Sequence, residues 1–242
     1  MKYYYLLAGL PELSTDSPCP MRTEELDGLL DETLDKDDAE ALALLRMTDN
    51  AEPVQAMMED YKENMLRRPD WWDDAVTILS ENDLRTQVRY ELGQQSGNSL
   101  VRNWFRFNQD INNVLTATVC RKHGFDVSKA IVGHNEVADI LRKNLPQKDF
   151  GLSGVMDNLN DVMALAETDN LLEREKKTDA VRLSWLEEAT RFDWFGVGQV
   201  LAYYLQVCIM NRWEPLTVEQ GEKVFREMVA EMKKGIQIES DN

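Results

Sequence analysis

Glycine and proline are scarce in this sequence, at 12 and 7 of 242 residues. An all-β sandwich or barrel needs a turn about every 8–12 residues, and this composition does not supply them. No apolar run approaches the roughly 20 residues that span a bilayer. The opening Met-Lys-Tyr-Tyr-Tyr-Leu-Leu-Ala-Gly-Leu-Pro is not followed by a small-residue cleavage site, so no secretory signal is expected. Basic residues are outnumbered, with 27 Lys and Arg against 44 Asp and Glu, for a formal net charge of −17. That balance argues against nucleic acid as a partner, because phosphate neutralisation needs a basic face. It argues equally against docking or insertion on an anionic lipid leaflet. Three cysteines, Cys19, Cys120 and Cys208, are odd in number and far apart, which excludes a disulfide framework and reads as reduced thiols in a cytosol.

Chemistry-bearing motifs are equally thin. There is no G-x-x-x-x-G-K-[ST] and no G-x-G-x-x-G; Gly196-Val197-Gly198 lacks both the third glycine and a preceding strand. Only two histidines occur. Cys120 and His123 are three apart near the end of a predicted helix, and His134 follows a short loop, but a fourth ligand at metal-site spacing is missing. Cys120 borders an apolar stripe and reads as a small core residue. His134 sits in a loop whose Asn135 and Glu136 look like the cap and first turn of a helix. Adjacent acids such as Glu187-Glu188 point to different helix faces and make no acid/base dyad. No catalytic residue, cofactor or metal site is expected.

What is present is helix. Periodic apolar positions predict helices over residues 23–34 (Thr23 as cap), 37–47, 53–66, a stretch after a cap at Asp70, 84–92, 136–143, 155–167, 170–192 and 197–211. The strongest is Ser99–His123. Leu100, Trp104, Phe107, Ile111, Leu115 and Val119 step by three or four along it, and Gly124 ends it. A further helix is expected over 218–234 behind Thr217, with a fraying tail over 237–242. The tyrosine-rich residues 2–7 are the one candidate for extended structure. The expected fold class is therefore all-α, with about eight to ten helices in packed bundles. Gly93–Asn98 in sequence (Gly-Gln-Gln-Ser-Gly-Asn) is the best internal hinge.

Charge divides at that hinge. Residues 1–97 hold 22 acidic and 9 basic residues, a net −13, while residues 98–242 carry −4. The acidic part (1–97) and the C-terminal helical part (98–242) are read as two parts of one unit. The acidic part is either a solvated face or a docking face for a basic protein partner. Aromatics cluster at Trp71-Trp72, Trp104-Phe105-Arg106-Phe107 and Phe192-Asp193-Trp194-Phe195. Helical neighbours about 100° apart cannot share one core, so Phe105, or one of Trp71 and Trp72, is expected at a surface.

Several stretches resemble a bacterial family encoded within V-type (A/V-type) ATPase gene clusters. They are Tyr3-Tyr4-Tyr5-Leu6-Leu7-Ala8-Gly9-Leu10-Pro11-Glu12-Leu13, Trp104-Phe105-Arg106-Phe107-Asn108, Asn112-Asn113-Val114-Leu115-Thr116-Ala117 and Arg121-Lys122. Ile131-Val132-Gly133, Asp149-Phe150-Gly151-Leu152, Leu171-Leu172-Glu173-Arg174-Glu175-Lys176-Lys177 and Asn211-Arg212-Trp213 are similar to it as well. The resemblance implies a counterpart of the C (or d) central-stalk subunit, an all-helical, non-catalytic socket between rotor shaft and membrane ring. It implies those shaft and ring subunits as partners, a cytoplasmic place held to the inner membrane by protein contacts, and no cofactor. Trp104, Phe105, Arg106, Asn112, Asn113, Arg121 and Trp213 are the candidate interface or family-motif residues. The residues alone leave two alternatives open: a helical assembly factor, and a helical ligand-binding protein or enzyme sharing the gene neighbourhood.

Overall fold

A computed structural model describes residues 2–213. Among them are eleven α-helices, one 3-10 turn and no strand. The helices are α1 Tyr4–Gly9, α2 Thr23–Thr33, α3 Lys36–Arg46, α4 Glu52–Glu63, α5 Trp72–Ile78 and α6 Glu81–Gln94. They continue with α7 Ser99–His123, α8 Glu136–Lys143, α9 Leu159–Ala166, α10 Leu171–Thr190 and α11 Val197–Asn211, the 3-10 turn being Val127–Lys129. The helix expected over 218–234 and the tail over 237–242 lie outside the described residues.

Capping chemistry places five of the starts. Asp35, Ser80, Asn98, Asn135 and Asn170 each accept a backbone N–H from the first turn of the helix that follows. Gly124 ends α7 in the left-handed conformation, where a missing Cβ avoids a steric cost. Two expected caps shift. Arg22 occupies the cap position of α2, and Thr23 instead accepts a hydrogen bond from Asn211 Nδ2 at 3.1 Å. Trp71, not Asp70, precedes α5 and makes no side-chain cap.

Residues 2–7 are not extended. Tyr3 is buried, its hydroxyl donates to Asp38 at 2.6 Å, and its backbone N–H donates to the Phe195 carbonyl at 3.3 Å. The chain then coils into α1, which turns Leu6, Leu7 and Leu10 onto the same core as Tyr3. With no strand among the described residues to pair with, the β preference of three tyrosines is overridden by that packing.

Helix α7 is the central strut. Its buried residues include Leu100, Val101, Phe105, Ile111, Asn113, Val114 and Ala117, which together cover more than one face. It packs against α3, α6, α8, α9 and α11. Three apolar clusters surround it. One joins Tyr3, Leu26, Leu30 and Leu42 to Leu100, Phe105 and the apolar helix α11. A second joins Ile111, Val114 and Ala117 to Leu141, Phe150 and Val162. A third gathers α4, α5 and α6 around Val54, Trp72 and Val88. The first cluster draws on both sides of Gly97, so stretches that differ in charge share one core. The expected hinge is also packed: Gly93 lies in α6, where a Cβ would collide with the Phe105 ring. No described helix is long and apolar enough to cross a membrane.

Candidate functional site

The richest polar geometry lies where α6 and α7 meet the loop over residues 131–135. Asn113, fully inside α7, clamps Val132: its Oδ1 accepts the Val132 N–H at 3.0 Å and its Nδ2 donates to the Val132 carbonyl at 2.7 Å. Gln109, one turn earlier, donates to the same carbonyl at 3.3 Å. Arg142 of α8 donates to the Ile131 and Gly133 carbonyls at 3.0 and 2.6 Å. The Gly133 N–H donates to Gln87 of α6 at 3.1 Å. Gly133 itself has φ +87°, and a Cβ there would overlap the Gln109 amide. Glycine is required on both counts. Buried loop backbone needs partners, and here side-chain amides from two helices supply them.

Gln87 and Gln109 also line a cavity of about 260 Å³, together with Trp71, Glu91, Gln94 and His134 among others. Gln109 Oε1 accepts from Gln94 at 2.9 Å and from Asn135 at 3.3 Å, and Asn135 also donates to Asp110 at 2.7 Å. Burial raises Asp110 from the ordinary carboxylate value to about 6. Glu91 accepts from the Tyr61 hydroxyl at 3.1 Å, and its carboxyl is also shifted upward by burial. Two buried side-chain atoms of the lining residues are unpaired, Gln87 Nε2 and Glu91 Oε2.

A second feature lies at the surface between the N-terminal segment and the α10–α11 turn. Tyr4 and Phe195 meet edge to face at 4.9 Å, and Tyr203 donates to the Pro11 carbonyl at 2.9 Å. These contacts frame a groove of about 570 Å³ lined by Leu7, Leu10, Leu13 and Trp194 among others. Trp194, which lines it, is 72 % exposed, and Tyr5 of α1 and Phe192 of the α10–α11 turn are 88 % and 84 % exposed. Large aromatics held out in water mark binding surfaces more often than single exposed aliphatics do.

The candidate residues read from the sequence fall differently. Phe105 is buried against Gly93 and Tyr90, and Trp72 is buried, which leaves Trp71 as the half-exposed member of that set. Trp104 is half-buried beside Trp185 at 5.8 Å, and Arg106 is exposed. Asn112 donates to the Tyr90 hydroxyl at 2.6 Å. Arg121 lies 4.1 Å over the Phe150 ring and donates to the Gln147 and Lys148 carbonyls. Trp213 donates its indole N–H at 2.9 Å to the buried Asp179, which also pairs with Arg182 and Arg212. Cys120 is buried, His123 stacks on Phe125 and His134 on Trp71, so these three do not converge. Among the described residues no group of His, Cys, Asp and Glu is placed to hold a metal ion. The polar cavity went unread in the sequence. Helix α7 carries many polar residues, and nothing in its spacing distinguishes Gln109 and Asn113 from those that face solvent.

Over the described residues the fold thus defines an all-helical protein built on a central strut, with a polar cavity where α6 and α7 meet the loop over residues 131–135 and exposed aromatics near α1 and the α10–α11 turn. The chain belongs to the family described as "Protein of unknown function (DUF2764)", whose model matches residues 58–236. No curated protein and no solved structure matches it.

Proposed function

We propose that this chain is a non-catalytic subunit of a bacterial V/A-type rotary ATPase. In this reading it is a C/d-like socket that links the rotor shaft to the membrane ring and supports ion transport coupled to ATP synthesis or hydrolysis. The motif resemblance supplies the identity of the machine. The observation that carries a docking role is the exposure of three aromatics, Tyr5, Phe192 and Trp194, the last of which lines the groove beside α1. Rigid aromatic rings are the usual anchors of protein interfaces, since they bury much area for little lost entropy. The net −13 of residues 1–97 adds a charged face that would steer a basic neighbour and set orientation.

Affinity purification of the tagged full chain from mild-detergent membranes, followed by mass spectrometry, tests this. The expected result is stoichiometric recovery with shaft and ring subunits. The double variant Phe192→Ala, Trp194→Ala should lower recovery sharply, because truncating two interface anchors costs about 2 kcal/mol or more each. Recovery of the chain alone from the soluble fraction refutes the proposal.

A further inference from the structure

We propose that the groove between α1 with its following loop and the α10–α11 turn receives a basic amphipathic helix of a partner protein. The helix lays its apolar stripe along the groove leucines and Trp194 and sets lysine or arginine against Glu12 and Glu187. The proposal rests on the docking reading of this surface, and not on the identity of the machine.

The lining has an apolar part and an acidic part. Leu7, Leu10 and Leu13 line the groove and are half-buried against the first core cluster. Trp194 lines it as well and is 72 % exposed. A ligand pocket buries most of its small molecule, and a wall this open to water does not, so the groove suits a long occupant. Apolar residues beside an exposed tryptophan are a common seat for interface anchors.

Charge decides the sign of the partner. Glu12 and Glu187 line the groove, both are exposed, and neither has an ion pair among the described residues. A third lining carboxylate, Asp193, lies against Gly196 and Gly198, where a Cβ on either would collide with it. Its charge is already favoured there by the positive end of α11. Arg191, the one cation among the described lining residues, pairs with Glu188. Two free carboxylates beside apolar side chains are complementary to a surface that carries cations beside its own apolar groups.

The same charges speak against other occupants. A second copy meeting this face about a two-fold axis brings only the same unpaired carboxylates into the interface. An anionic lipid surface meets the same repulsion. Strand addition has no template, because the described residues contain no strand. The mode that uses an apolar strip and flanking charge together is an amphipathic helix laid in the groove.

Fluorescence anisotropy of labelled synthetic peptides titrated with the full chain tests this, each peptide being about 18 residues long and so spanning several helical turns. One carries leucine on one helix face and lysine on the other. A second replaces lysine by glutamate, and a third has the leucine–lysine composition in an order without helical period. The first should bind saturably, at least about 10-fold more tightly than the other two, and more weakly as salt is added. A chain of net charge −17 attracts any polycation, so variants locate the binding. They are compared at physiological ionic strength, where charges more than about 8 Å away are screened. Glu12→Lys with Glu187→Lys, and separately Trp194→Ala, should each weaken binding about 10-fold. Glu52→Lys with Glu59→Lys makes the same charge change at exposed positions of α4, which does not line the groove, and should weaken it less than about 3-fold. All these side chains are exposed, and thermal melts check that each variant is folded. Four results overturn the proposal. The glutamate or the aperiodic peptide binds as tightly; either groove variant binds unchanged; the α4 variant loses as much as the groove variants; or sedimentation shows a dimer that Trp194→Ala dissociates. A glutamate peptide that binds and is lost in Trp194→Ala removes the basic partner alone and leaves a docking groove. Failure to recover shaft and ring subunits, with the lysine peptide still bound in the groove, removes the identity of the machine alone.

Discussion

Replacing Asp110 by Asn should stabilise this protein, and more so as the pH rises. Asp110 lies on α7 and accepts from Asn135 Nδ2 at 2.7 Å. Burial lifts its pKa from 3.8 to about 6, against the opposing pull of the Asn135 hydrogen bond and Arg106. A raised carboxyl pKa means that between these two values the folded chain holds a proton the unfolded chain has released. Folding stability therefore falls as pH rises through that window, and the full cost is present above pH 6. The size of the shift corresponds to about 3 kcal/mol at pH 8, and to about half of that at pH 5. Asn keeps an acceptor for Asn135 and never ionises, so it removes the cost. Urea unfolding of both proteins at pH 5, 6.5 and 8 reads this directly, because every other titrating group is common to the pair. The expected gain is about 1.5 kcal/mol at pH 5, growing to about 3 kcal/mol at pH 8. A gain that is constant across pH, or a loss at pH 8, would refute the claim that burial of the charge is what Asp110 costs.

Other perturbations probe the packing around it. Gly133→Ala combines a positive φ with overlap onto the Gln109 amide and should cost about 2–4 kcal/mol in denaturant unfolding. Gly93→Ala pushes a methyl into the Phe105 ring and should cost about 1–3 kcal/mol; a neutral result would show that α6 and α7 can separate without loss. Asp179→Ala strips the half-buried Arg182 of its carboxylate and should cost about 2–3 kcal/mol, while exposed Arg212 loses little. Phe192→Ala with Trp194→Ala should leave thermal stability nearly unchanged, within about 0.5 kcal/mol for each site, since both rings are mostly in water. A large drop in Tm there would mean that these rings hold the fold together and do not wait for a partner.

The long helices were legible because their ends carry chemistry. Asn98 and Gly124 bracket α7, Asn135 opens α8, and α11, apolar apart from Gln199, Gln206 and its end, requires burial on most sides. The N-terminal segment was misread because a tyrosine run scores as strand, whereas a ring buried at Tyr3 and a carboxylate at Asp38 decide its conformation through contacts 35 residues apart. The single apolar stripe of α7 was too narrow a description. A helix at the centre of a bundle is buried on more than one face, so Phe105 and Asn113 go inside although they lie off the stripe. The polar cavity was illegible for a related reason. Gln87, Glu91 and Gln94 have the spacing of a solvated helix face, and only the arrival of the loop over residues 131–135 turns that face inward.

The stretches that carry the family resemblance pair with one another in space. Asn113 clamps Val132 of Ile131-Val132-Gly133. Arg121 covers Phe150 of Asp149-Phe150-Gly151-Leu152, a residue whose positive φ of 55° needs such support. Lys176 of the Leu171-to-Lys177 stretch lies over the Trp213 ring. Residues satisfied by each other inside one chain have little left to offer a partner, so these motifs are explained first by folding. The aromatic surface is different: Phe192 and Trp194 lie outside the quoted stretches, and Tyr5, within one, is turned to solvent. Substituting Trp104, Asn113 or Arg121 would therefore test stability and could abolish assembly trivially. Substituting Tyr5, Phe192 and Trp194 separates the two, because loss of partner recovery at unchanged Tm can come only from a surface that was waiting to be covered.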